Sequence, residues 1–190
     1  MALAQDNPEV EDGPGPNLVI QVADAEGNDK GRIVLDLFPD IAPAHVERLT
    51  TLAEQGAYDG VVFHRVIEGF MAQTGDVQHG RADGDTAMAG MGGSDMADLP
   101  AEFSDRPFQR GTLGMARAQS PDSANSQFFI NFDRTPFLDG QYTVVGQLIE
   151  GWDVLDAIER GDPSPAGNGR VETPDVMSSV TVQAADDQDS

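Results

Sequence analysis

A chain of 190 residues and 20.2 kDa has room for one compact domain with a real hydrophobic core. Its 33 acidic residues against 11 basic ones leave a net charge of -22, which repels nucleic acid and anionic membrane, and no apolar run approaches the ~18 residues of a membrane span. The absence of cysteine excludes disulfides, thiol nucleophiles and thiolate metal sites, while 21 Gly and 12 Pro favour a turn-rich β fold over a helical bundle.

Residues 1–16 are acidic, rich in Pro and Gly and without periodicity, and read as a flexible leader. Ala2-Leu3-Ala4 resembles the small-residue end of a secretory cleavage site. That gives a periplasmic or secreted location as one expectation and the cytoplasm as the alternative. The folded domain is expected over 17–183. Leu18 to Val22 alternates as a strand, Ala25 to Gly31 is a turn, and Ile33, Leu35 and Leu37 alternate again, which predicts an antiparallel hairpin. Pro43 opens and Gly56 closes a helical pattern whose apolar face is Val46, Leu49, Leu52 and Ala53.

Residues 63–76, FHRVIEGFMAQTGD, read as strand, turn and strand. Val77 to Pro100 is a long Gly- and Asp-rich loop, a length that points to function or mobility. Further strands are expected at Gly111 to Ala116, Phe128 to Phe132, Thr143 to Ile149 and Val176 to Val182, with a second helix from Trp152 to Arg160. The acidic tail from Ala184 to Ser190 is expected to be disordered.

Several chemistries fall away. His45, His64 and His79 lack paired-ligand spacing. Asp24, Glu26 and Asn28 open like a calcium loop, but Asp29 stands where glycine is needed and no closing Glu follows. No metal site and no cofactor is expected. The serine-hydrolase elbow, the zinc-protease motif and the phosphate-binding loop are all missing from the sequence.

What remains is a cation, Arg65, an amide, Gln73, and the apolar Phe70 and Met71, which a strand-turn-strand could aim at one shallow pocket. Phe129 joins them from a later strand. Such a pocket suits a proline ring with a carbonyl beside it. The residues alone favour the plainer reading, in which the apolar members are ordinary core and Arg65 is a surface ion pair. Strand alternation turns His64 away if Arg65 faces the pocket.

Three blocks decide between these readings: FHRVIEGFMAQTGD, GTLGMARAQSPDSANSQFFI and FLDGQYTVVGQLIEG. In this order they resemble the cyclophilins, which are peptidyl-prolyl cis-trans isomerases. The resemblance runs from about Asn17 to Val182. It implies a mainly β fold: a closed eight-stranded antiparallel β-barrel capped by two α-helices. It also implies that Arg65 is the catalytic arginine, with Gln73 bonding the substrate backbone. Phe70, Met71, Phe129 and Leu138 would line the proline pocket, and Gln127 would be its glutamine. Ala116 and Arg117 would pair with the substrate main chain, and Gly90 would sit in the loop beside the groove.

Phe137 and Tyr142 fall at substrate-binding positions where many eukaryotic members carry tryptophan and histidine. Arg117 stands where they often have asparagine, and Glu68 replaces a common proline. The first three departures resemble bacterial members and imply weak cyclosporin binding at best, because Phe137 lacks the indole N–H donor. The implied partners are proline-containing peptides and unfolded protein clients, with no nucleic acid and no membrane, and a monomer is expected. The rival function is a proline-peptide binding module or holdase in which catalysis is incidental.

Overall fold

The computed structural model describes residues 7–184. Ala2-Leu3-Ala4 and residues 185–190 of the tail lie outside them. Nine strands form one antiparallel sheet: β1 (Asn17–Ala23), β2 (Asp29–Leu37), β3 (Val61–Val62), β4 (Arg65–Ile67), β5 (Met71–Thr74), β6 (Thr112–Met115), β7 (Phe128–Asn131), β8 (Val144–Glu150) and β9 (Val176–Gln183). Their order across the sheet is β3-β9-β1-β2-β8-β6-β7-β5-β4. The sheet curls into a half-barrel around the core.

The architecture is thus mainly β with two α-helices, as expected, but the hydrogen-bonded ladder differs from a closed ring of eight. The strand expected to open at Phe63 starts only at Arg65, as β4; Val61–Val62 forms β3 at the other edge of the sheet, and Phe63 and His64 lie between them outside any ladder. The cause is local competition. Phe63 N donates to Asp175 O, and Val171 N donates to His64 O, so these backbone groups are satisfied by the 161–175 segment instead of a ladder.

Period-2 alternation builds the inside. Leu18, Ile20, Val22, Ile33, Leu35, Leu113, Phe128 and Ile130 are fully buried in one continuous core. Phe128 meets Tyr58 edge-on at 5.5 Å, and the Tyr58 hydroxyl donates to Ser126 O at 2.7 Å.

Helix α1 (Pro43–Glu54) packs on β9. Its orphan N–H groups are capped from far away in sequence, with Ala44 N and His45 N donating to the Glu102 carboxylate at 3.1 Å each. Helix α2 (Trp152–Asp156) packs on β2 and is shorter than the pattern from Trp152 to Arg160 predicts. Lys30 Nζ takes the Ala157 carbonyl and Asp175 takes the Glu159 N–H, which draws the chain out of the helix. Trp152 stacks under Arg110 at 5.1 Å.

Residues 77–100 contain no regular element, as expected, yet they are tied down at several points. Asp76 accepts backbone N–H groups from Gln78, His79, Gly90 and Gly92. In the leader segment, Gly13 N donates to Asp36 and Asn17 donates to Asp12.

Candidate active site

On the outer face of β4, β5 and β7 the register aligns one residue per strand. Arg65 lies directly opposite Gln73, and Gln73 opposite Phe129. The inward neighbours Val66, Ala72 and Phe128 belong to the core. Alternation therefore puts a cation, an amide and an aromatic ring in one row, on strands fixed from behind.

Hydrogen bonds run along and beyond this row. Arg65 Nη1 donates to Gln73 Oε1 at 3.2 Å, and Gln73 Nε2 donates to Gln127 Oε1 at 2.9 Å. Gln127 Nε2 then donates to the carbonyls of Gly90 and Gly92 at 3.0 and 2.8 Å. From the other side Arg65 Nε donates to Asn168 O at 3.0 Å, and Nη2 to the Asn168 side chain at 3.2 Å. Arg65 has no carboxylate partner among the described residues, so the surface ion pair is excluded there. Burial pulls the guanidinium below its ordinary pKa, yet an arginine keeps its charge at any working pH.

The apolar wall is a second cluster, separate from the main core: Met71, Phe108, Phe129, Leu138 and Val144, with Phe70, Ala116 and Tyr142 packed against it. Phe129 is 5% exposed, stacks on Phe108 at 5.7 Å and meets Tyr142 edge-on at 5.8 Å. A Cβ at Gly114 would lie 2.6 Å from both Phe108 and Phe129, so only glycine lets these rings sit down on β6. A short 3-10 turn, Pro136–Leu138, drops Leu138 into the wall.

Together these side chains line a cavity of about 540 Å³. It takes in Arg65, Phe70, Met71, Gln73, Gly90, Ala116, Arg117, Phe129, Leu138 and Tyr142. A neighbouring cavity of about 370 Å³ is lined by Gln73, Gly90, Arg117 and Gln127 among others. Of the expected residues only Phe137 stands outside both cavities: it is 66% exposed and leans on Phe70 at 5.5 Å. Ala116 N already donates to Gln127 O, so that N–H is spent.

His64 departs from the alternation argument. It lines the first cavity beside Arg65, because the chain is not in a strand there. Its ring sits under the Gly90 loop, where a Cβ on Gly90 would approach Nε2 to 3.3 Å. Both ring nitrogens are buried without a partner among the described residues. Burial pushes its pKa down to about 4; Asp76 opposes this, and Arg65 and Arg170 reinforce it. The ring is neutral at pH 7 and is no charged acid in this site.

Sequence reasoning missed Phe108, Asn168 and Arg170. Phe108 is a single aromatic in an unpatterned stretch. Asn168 and Arg170 sit in the Gly/Pro loop about 100 residues beyond Arg65 in the chain. The one available signal was Gly-Asn-Gly, since Asn168 adopts φ 50, a backbone that asparagine tolerates. Among the described residues no group of acids and histidines could hold a metal.

Half-barrel and groove define a site in which a positioned cation, Arg65, borders an apolar seat. Residues 21–182 match the family described as cyclophilin type peptidyl-prolyl cis-trans isomerase. A probable peptidyl-prolyl cis-trans isomerase of Brucella suis is 57% identical over 156 residues, covering 81% of this chain and 79% of that protein. Peptidyl-prolyl cis-trans isomerase 9 of Schizosaccharomyces pombe is 41% identical over 70% of this chain, but the match covers only 21% of that longer protein. A cyclophilin structure from Hirschia baltica superposes with a TM-score of 0.69 at 25% identity, covering 89% of this chain and 74% of that one. The chain belongs to the cyclophilins and is a peptidyl-prolyl cis-trans isomerase.

Proposed function

We propose that Arg65 drives the isomerisation electrostatically, without a covalent intermediate, and that the protein uses this to speed folding of other proteins. Rotation about an X-Pro bond faces a barrier of ~18–20 kcal/mol set by amide resonance. As the amide twists, the proline nitrogen regains its lone pair and becomes a better acceptor. A guanidinium aimed at it stabilises the twisted state more than the planar one, and only that difference accelerates the reaction.

The observation that carries this reading is the anchoring of Arg65 by neutral oxygens alone, from Gln73 on one side and Asn168 on the other. Its position is fixed, its charge is uncompensated, and two of its five N–H donors are left for a ligand. The seat formed by Met71, Phe129 and Leu138 would take the ring, while Gln73 and the Arg117 segment hold the flanking chain. No proton transfer or cofactor is needed.

Arg65→Ala is expected to lose at least ~100-fold in kcat/KM, the scale for removing a charged donor aimed at a transition state. A protease-free proline-peptide isomerisation assay measures it. Near wild-type turnover would remove Arg65 from the mechanism.

Val61–Ile67 acts as one interrupted strand belonging to both sheet edges, which closes the half-barrel into the eight-stranded form. The chain works as a monomer, since a net charge of -22 repels its own copies. Cyclosporin binds weakly, because exposed Phe137 offers no donor. A periplasmic or secreted site of action rests on Ala2-Leu3-Ala4, with the cytoplasm as the alternative.

A further inference from the structure

The protein carries 11 basic residues against 33 acidic ones, yet its groove reverses that balance. Three arginines, Arg65, Arg117 and Arg170, line the first cavity, and no aspartate or glutamate does. The second cavity adds one acid, Asp98, which accepts from the Asn125 amide. Asp76 lies beneath the Gly90 loop, but it is buried and both its oxygens are taken by backbone N–H groups.

None of the three arginines makes an ion pair among the described residues, whereas six of the other eight basic residues do. Each is held by uncharged oxygens instead. Arg117 donates to the carbonyls of Ala118, Gln119 and Gln141 and lies over the Tyr142 ring at 4.5 Å. Arg170 donates to Thr86 O at 2.7 Å and keeps the rest of its fork for solvent or ligand. Carbonyls fix a guanidinium in place without cancelling its charge. Gathering three such cations costs self-repulsion, and a ligand that brings the counter-charge relieves it.

We propose that the groove selects proline peptides carrying a carboxylate side chain next to the proline. This rests on the reading above that the groove takes proline peptides, and it names which ones. The surface makes the opposite demand: the acidic exterior by itself favours basic peptides. That far field is screened beyond ~8 Å at physiological salt, so the contact charges of the groove decide the bound state. The two effects therefore predict opposite rankings.

The test uses three capped peptides that differ only in carrying Glu, Ala or Lys on both sides of one proline. Dissociation constants are measured by titration at 0.15 M salt, and isomerisation by exchange spectroscopy on the same samples. The Glu peptide should bind about tenfold more tightly than the Lys peptide, as expected for two partly exposed charge contacts, with Ala between them. Arg170→Gln lies on an exposed loop, and Arg117→Gln lies on a different segment. Each should shrink the Glu-to-Lys ratio, and the double variant should bring it below about threefold.

Equal affinities, or Lys ranking first, overturn the proposal. A Glu preference undiminished in both single variants and in the double variant overturns the assignment to these arginines. Glu-first binding without isomerisation of any peptide would sink the isomerase mechanism and leave the acidic preference standing. Isomerisation of all three at equal affinity would do the reverse.

Discussion

Phe128 and Phe129 are neighbours on β7, and both are almost wholly buried. One faces the interior and packs on Tyr58; the other faces the groove between Phe108 and Tyr142. The same residue type therefore has two uses, set only by the pleat. Inside, a ring is surrounded by chain on all sides, and its loss leaves a void. Outside, a ring forms one wall of a cavity that water or ligand can enter. Burial by itself does not separate structure from function here; the side of the sheet does.

Phe128→Ala should open a cavity that the core cannot close and cost about 3–5 kcal/mol of stability, measured by urea unfolding. A smaller loss than that of Phe129→Ala would erase the distinction. Phe129→Ala should instead weaken proline-peptide binding by about tenfold or more, the worth of ~1.4 kcal/mol of lost apolar contact, with less than half the stability loss of Phe128→Ala. Unchanged peptide affinity would take Phe129 out of the seat.

The ionisable groups extend the contrast. His64 lies by the groove with its pKa pushed down to about 4, so its contribution is intact above its unfolded value of ~6.5 and is lost as pH falls through 4. Asp36, on β2 away from the groove, has its pKa raised to about 6 by burial. It costs stability once ionised; the cost begins to be relieved as pH falls through 6 and is gone below its ordinary value of 3.8. Between pH 4 and 6 the two run in opposite directions. Asp36→Asn should therefore raise the urea midpoint at pH 7 and expose a steeper acid loss, and a midpoint that falls at pH 7 would contradict this.

The smallest effect is collective. Screening the net charge of -22 should raise Tm in molar NaCl by a few degrees, about what ~1 kcal/mol gives in a domain of this size. A flat or falling Tm would mean that the surface charge is already balanced locally.

How much of this was legible in the sequence follows from the same geometry. Arg65 and Gln73 could be read together because alternation within one hairpin is a local rule, which β4 and β5 obey, whereas Phe129 comes from a distant strand and was tied to them by the resemblance of the three blocks. His64 could not, because alternation holds only where the chain is a strand and residues 63–64 bond to the 161–175 segment instead. Asn168 and Arg170 reach the groove from a loop, and Phe108 backs Phe129 from another, where position is set by tertiary contacts and leaves no periodic trace. The apolar pattern overstates the length of α2 for a similar reason: Lys30 and Asp175 compete for its last turn from remote parts of the chain.

Trp152 is the only tryptophan, and it sits on α2 beside Arg110, outside both cavities of the groove. With Phe137 at the groove's rim, the site has no indole of its own. Excited selectively over Tyr58 and Tyr142, this single indole watches the scaffold and not the ligand. Its emission will follow unfolding while a labelled peptide reports occupancy, so stability and binding can be read from one sample at two wavelengths.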